Sequence, residues 1–138
     1  MKKHLFLVFL VVIITTFYGN AQDEKRANVW YFNEEAGLDF NSSPPSALTD
    51  GKMNSCPGEG SASICDKQGR LLIYTNGETI WNRNHAVIAD SISGNTSVTQ
   101  SSIIIPSPAD QDVLYVFYLN ELRGDDFEKN GEFYYAIV

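Results

Sequence analysis

The residues of this chain with chemical capacity are a histidine, two cysteines and many carboxylates, and their spacing decides what they can do. His85 is the only histidine besides His4 at the extreme N-terminus. With Arg83 two residues away and Asp39 upstream, it has the residue types of acid–base or nucleophilic catalysis. A serine triad needs its nucleophile on a sharp Gly-x-Ser-x-Gly turn, where the hydroxyl stands clear of the backbone. Glu59-Gly60-Ser61-Ala62 only approaches that pattern. His85 is therefore read as structural, hydrogen-bonding a loop backbone beside Trp81, and no residue is assigned a catalytic role.

The carboxylates are no more selective. Glycoside hydrolysis needs two of them roughly 5–9.5 Å apart across a cleft, and the 17 acidic residues offer no pattern that picks a pair. Ser63-Ile64-Cys65-Asp66-Lys67-Gln68-Gly69 has the wrong spacing for a sialidase-type Asp box, and Asp66 is expected to bond its own turn backbone. Calcium sites on loops place acids at alternate positions around a glycine. Asp125-Asp126-Phe127-Glu128 and Asp110-Gln111-Asp112 have the charge without that spacing, so they are read as solvated loop acids and no metal or other cofactor is assigned. Arg123-Gly124-Asp125 spells an adhesion tripeptide but is ordinary turn chemistry, and Asp90-Ser91-Ile92 fits a loose glycan-attachment pattern.

Cys56 and Cys65 leave two readings open. A disulfide closing this short loop would stabilise the fold by roughly 2.5–3 kcal/mol. Alternatively, Cys65 ends the apolar-alternating run Ala62-Ser63-Ile64-Cys65 as a plain buried thiol. Two cysteines without a pair of histidines do not make a zinc site. Among the aromatic residues, Trp30 and Trp81 are expected in the core before any role in stacking on a ligand.

The compartment follows from the N-terminus. Met1-Lys2-Lys3-His4 precedes a charge-free run from Leu5 to Thr16, and Tyr18-Gly19-Asn20-Ala21 supplies small residues for a peptidase. This is the layout of a secretory signal peptide over 1–21, with cleavage expected between Ala21 and Gln22. The apolar run is too short to span a bilayer, which takes about 20 such residues. Export removes Lys2 and Lys3 and leaves eight basic against 17 acidic residues, a net charge near −9. Nucleic acid and anionic membranes both select basic surface, so neither is expected as a partner.

The elements expected to hold these residues are strands. Asn28–Phe32, Ser61–Cys65, Leu71–Thr75, Glu78–Trp81, Ser101–Ile105, Val113–Leu119 and Glu132–Val138 are rich in β-branched and aromatic residues. Asp66–Gly69 reads as a turn, and Asn76-Gly77 as a two-residue type I′ hairpin joining Leu71–Thr75 to Glu78–Trp81. Pro106 and Pro108 are expected to stop the Ser101–Ile105 strand. Gly37, Asn41–Pro45 and Gly58–Gly60 read as long polar loops. With no sustained helical periodicity, the expected fold is all-β, built of antiparallel meanders over 22–138.

Several blocks in order carry a resemblance. Trp30-Tyr31-Phe32, Ala36–Asn41, Glu59–Ile64, Asp66–Gly77, Trp81–His85 and Ser97–Ser101 with Ile105-Pro106 are similar to the opening of a β-propeller region in large exported Bacteroidota proteins. Those proteins often end in a gliding-motility-associated, type IX secretion sorting domain. The resemblance implies an exported propeller without established catalytic residues. A blade takes about 40–45 residues, so the 117 residues after the leader would make roughly two and a half blades, the front piece of a longer protein. The expected function is a non-enzymatic secreted or cell-surface scaffold that binds a polysaccharide or protein. The alternative is the front of a secreted propeller enzyme hydrolysing glycans or esters.

Overall fold

The computed structural model describes residues 25–54, 59–120 and 132–138. The expected leader, Cys56, Arg123-Gly124-Asp125 and the acids 125–128 lie outside the described residues. Within them the chain is all-β and antiparallel, with ten strands and no helix. The strands are β1 Val29–Tyr31, β2 Gly37–Asp39, β3 Ser46–Leu48, β4 Ala62–Cys65, β5 Leu71–Thr75, β6 Ile80–Asn82, β7 Val87–Ala89, β8 Ser102–Pro106, β9 Leu114–Leu119 and β10 Phe133–Ile137.

They form three up-and-down sheets, β1-β2-β3, β4-β5-β6-β7 and β8-β9-β10, each strand pairing with the next in sequence. The first strand of each sheet lies at its edge, and β4 packs beside β1 on one side and β8 on the other. The expected pairing of the last two segments is present, with Leu119 opposite Phe133 and Tyr115 opposite Ile137.

Two apolar cores hold the sheets face to face. Val29, Tyr31, Met53, Cys65, Tyr74 and Trp81 are buried between the first sheet and the middle one. Ile64, Ile73, Ile80, Leu114, Val116 and Tyr118 are buried between the middle sheet and the last. The middle sheet is thus covered on both faces, which is why Leu71–Thr75 is apolar at nearly every position rather than alternating. A bulge at the Ile64/Cys65 step keeps Ile64 opposite Ile73 while Cys65 pairs with Leu71, and alternation along β5 sends Ile73 and Tyr74 into opposite cores.

Four sequence expectations are corrected. Gly37 and the stretch after it are not one long loop, since β2 and β3 form there. At three residues each, these strands are too short to show alternation. Pro106 does not lie beyond β8 but is its last residue, paired with Leu114. The strand is at a sheet edge, where a missing N–H breaks no ladder.

Asn76-Gly77 is not a two-residue hairpin. Thr75 pairs with Ile80, leaving a four-residue loop 76–79 in which Gly77 has φ +89° and Asn76 is not left-handed. Side chains explain the change. Asn76 Oδ1 accepts from the Glu78 and Thr79 N–H groups at 3.0 and 2.9 Å, and Thr75 Oγ1 donates to the Thr79 carbonyl at 2.7 Å. This Asx turn satisfies the loop backbone without a left-handed asparagine.

Trp30, finally, is not a core residue. Val29 and Tyr31 enter the core, so alternation along β1 turns Trp30 outward, 44% exposed, whereas Trp81 is 7% exposed. Trp30 is held on that outer face by its indole N–H, which donates to the Ala27 carbonyl at 2.7 Å, and by Phe40, 4.8 Å away between ring centroids.

Candidate functional site

His85 ends the turn between β6 and β7, with φ +60°. Asn82 builds that turn, its Oδ1 accepting from the Asn84 and Ala86 N–H groups. The imidazole then reaches side chains rather than the loop backbone expected for it. Nδ1 lies 2.9 Å from the Tyr74 hydroxyl, and Nε2 lies 3.3 Å from Asp50 Oδ2. Tyr31 donates to Asp50 Oδ1 at 2.7 Å, and the Lys52 N–H donates to the Tyr74 oxygen at 3.2 Å. Every group is satisfied when the ring proton sits on Nε2, Tyr74 donates to Nδ1 and Asp50 accepts twice.

The row acid–imidazole–hydroxyl has the order of a nucleophilic triad, but its hydroxyl cannot attack. Tyr74 is fully buried, its ring stacked between Tyr31 and Trp81 at 4.7 and 5.2 Å. Burial pushes its phenol up to about 12, and burial together with the Asp50 carboxylate pushes Tyr31 higher still. The Tyr31 hydroxyl in turn holds the Asp50 carboxyl below the ordinary range, so Asp50 is an anion at neutral pH. The cluster fastens the loop before β4 to strands β1 and β5 and the β6–β7 turn.

The other candidate residues are also engaged. Asp39 does not meet His85; its Oδ1 accepts from the Asn41 backbone and side chain. Asp66 bonds its own turn, accepting from the Gln68 and Arg70 N–H groups, and pairs with the Arg70 guanidinium at 2.7 Å. Asp110 Oδ1 accepts from the Asp112 N–H, and Asp90 Oδ1 from the Ser91 N–H and Thr79 hydroxyl. Among the described residues no three His, Cys, Asp or Glu side chains group as metal ligands. Cys65 is a free, fully buried thiol whose burial raises its pKa, which makes it a poor nucleophile.

A recess of about 310 Å³ lies where the first strands of the three sheets meet. It is lined by residues 30–32, 61–63 and 102–104. Trp30 and Phe32 stand edge to face at 6.2 Å, and three serines, Ser61, Ser63 and Ser102, add hydroxyls. Ser63 Oγ accepts from the Tyr31 N–H at 2.9 Å, while Ser102 Oγ is buried without a hydrogen-bond partner among the described residues. Among the described residues no charged side chain lines the recess.

Sequence reasoning placed Trp30, Ser61 and Ser102 on or beside strands without bringing them together. Asp50 carried no signal, since Thr49-Asp50-Gly51 reads only as a turn. No protein-family model, curated protein or solved structure matches this chain.

Proposed function

We propose that this chain contributes consecutive blades of a β-propeller to an exported, non-catalytic binding scaffold, secreted or held at the cell surface. The observation that carries the reading is the stacking of three meanders with β1, β4 and β8 side by side at one edge, as blades stand around an axis. The outer face of the last sheet adds support. Ile103, Phe133, Tyr135 and Ile137 are exposed there, an apolar surface suited to another sheet. The leader pattern supports export, and the net negative charge favours partners other than nucleic acid. The scaffold acts by binding at the recess between its first strands and requires no cofactor.

Engagement of His85 by Tyr74 and Asp50 favours the scaffold over a hydrolase. In the exported protein, His85→Ala should lower the thermal midpoint by about 5–10 °C, because it leaves the buried Tyr74 hydroxyl with one partner fewer. No turnover should be lost with it. A glycan- or ester-hydrolysing activity that disappears in a folded His85→Ala protein would replace the scaffold with the enzyme.

A further inference from the structure

Resting on that binding reading, we propose that the recess between β1, β4 and β8 is a site for a neutral saccharide, with Trp30 as stacking platform and the Ser102 hydroxyl as a hydrogen-bonding group. Three features of the lining select this chemistry. Trp30 presents an exposed indole anchored at one edge by its bond to the Ala27 carbonyl, a rigid apolar plate of the kind on which a sugar ring lies. The polar lining consists of serines, and none of the described acidic residues reaches the recess. A charged ligand would find no counter-charge there, whereas hydroxyls match hydroxyls as both donors and acceptors.

Ser102 adds the third feature. Buried hydroxyls in native folds are nearly always paired, and its Oγ has no partner among the described residues. The side chain reorients about a single bond, which lets it take up a ligand hydroxyl at the recess wall. The volume, about 310 Å³, lies at the small end of ligand pockets and suits one or two sugar rings rather than a buried polymer.

An extended peptide adding to the edge strands is disfavoured by the backbone. The Tyr31 N–H is taken by Ser63 Oγ and the Cys65 N–H by the Arg26 carbonyl, so donors along β1 and β4 are already engaged.

The test is a titration of the full chain with cellohexaose, maltohexaose, xylohexaose and chitohexaose, following tryptophan fluorescence. The chain has two tryptophans, and Trp81 is buried, so a change on binding reports Trp30. Binding of at least one hexamer is expected, with an oligogalacturonate of equal length binding more weakly. Ser102→Ala should weaken that hexamer about fivefold while leaving the unfolding midpoint unchanged or raised, since it deletes an unpaired buried hydroxyl. Trp30→Ala should weaken it about tenfold.

Absence of binding by all four hexamers at millimolar concentration overturns this inference and leaves the scaffold reading standing. So does binding indifferent to both substitutions, or a response only to an uncharged Val-Thr repeat peptide. Cleavage of a bound hexamer would instead overturn the non-catalytic reading itself.

Discussion

Replacing Tyr74 by alanine is expected to cost about 3–5 kcal/mol, the largest loss from any single side chain in the fold. A domain of this size has about 5–15 kcal/mol in all, so much of the chain would be unfolded at 37 °C. Tyr74 is fully buried, stacked on Tyr31 and Trp81, and its hydroxyl joins Lys52 to His85. Tyr74→Phe separates the two contributions. It keeps the ring stack but leaves the Lys52 N–H and His85 Nδ1 without their partner, a loss of about 1–3 kcal/mol. Urea denaturation of both variants checks the order, and a phenylalanine variant as unstable as the alanine one would place the stabilisation in the hydroxyl network.

The same residue shapes the alkaline limit. Its folded pKa of about 12 lies above the usual 10, so the stability it contributes is complete below pH 10 and is lost as pH rises towards 12. Asp50 acts at the other end. Its folded pKa is depressed, so its contribution is present at neutral pH and lost as pH falls below the usual carboxylate range.

Gly94→Ala is expected to destabilise by about 3 kcal/mol. A Cβ there would lie 1.8 Å from the Gly77 carbonyl oxygen and 2.6 Å from its carbon, so backbone must move. The surroundings resist movement. Residues 92–101 clasp the β5–β6 loop through the Ile92 N–H on the Glu78 carbonyl at 3.0 Å and the Ser101 hydroxyl on the Asn76 carbonyl at 3.4 Å. At Gly77 itself an added Cβ meets the Ser101 hydroxyl at 3.2 Å and nothing nearer, and the strain is that of a φ near +89°. Gly77→Ala should therefore cost less, about 1–2 kcal/mol. Chemical-denaturation midpoints give the comparison, and a Gly94→Ala protein as stable as the parent would show that the two loops are not in contact.

Strand type and antiparallel pairing were legible because β-branched and aromatic runs alternate with turn residues throughout. Asp66 declared its turn for the same local reason. The errors lie where long-range packing decides. The Asn76-Gly77 signal describes an isolated hairpin, but residues 92–101 bury this loop, and a wider turn leaves Asn76 and Thr75 to cap it from within. Trp30 went to the wrong face because size suggested burial, whereas the alternation of Val29 and Tyr31 sends it outward. The partners of His85, Asp50 and Tyr74, are 35 and 11 residues from it in sequence and without a motif. The recess is the least legible feature. Its three lining segments become neighbours only when β1, β4 and β8 come side by side.

On the proposed reading the three sheets are successive members of a stack, and another sheet covers the outer face of the last. The β8–β10 sheet turns Phe133 at 63%, Tyr135 at 60% and Ile137 at 61% exposure outward, with Phe117 stacked on Phe133 at 5.4 Å, and among the described residues no strand pairs with the outer edge of β10. Such a face and edge are templates for another sheet. Light scattering of residues 22–138 across a concentration series tests this most directly. Self-association that grows with concentration, despite the net negative charge, and that Phe133→Lys with Ile137→Lys suppresses, is the expected result. A compact, cooperatively unfolding monomer at every concentration would contradict it.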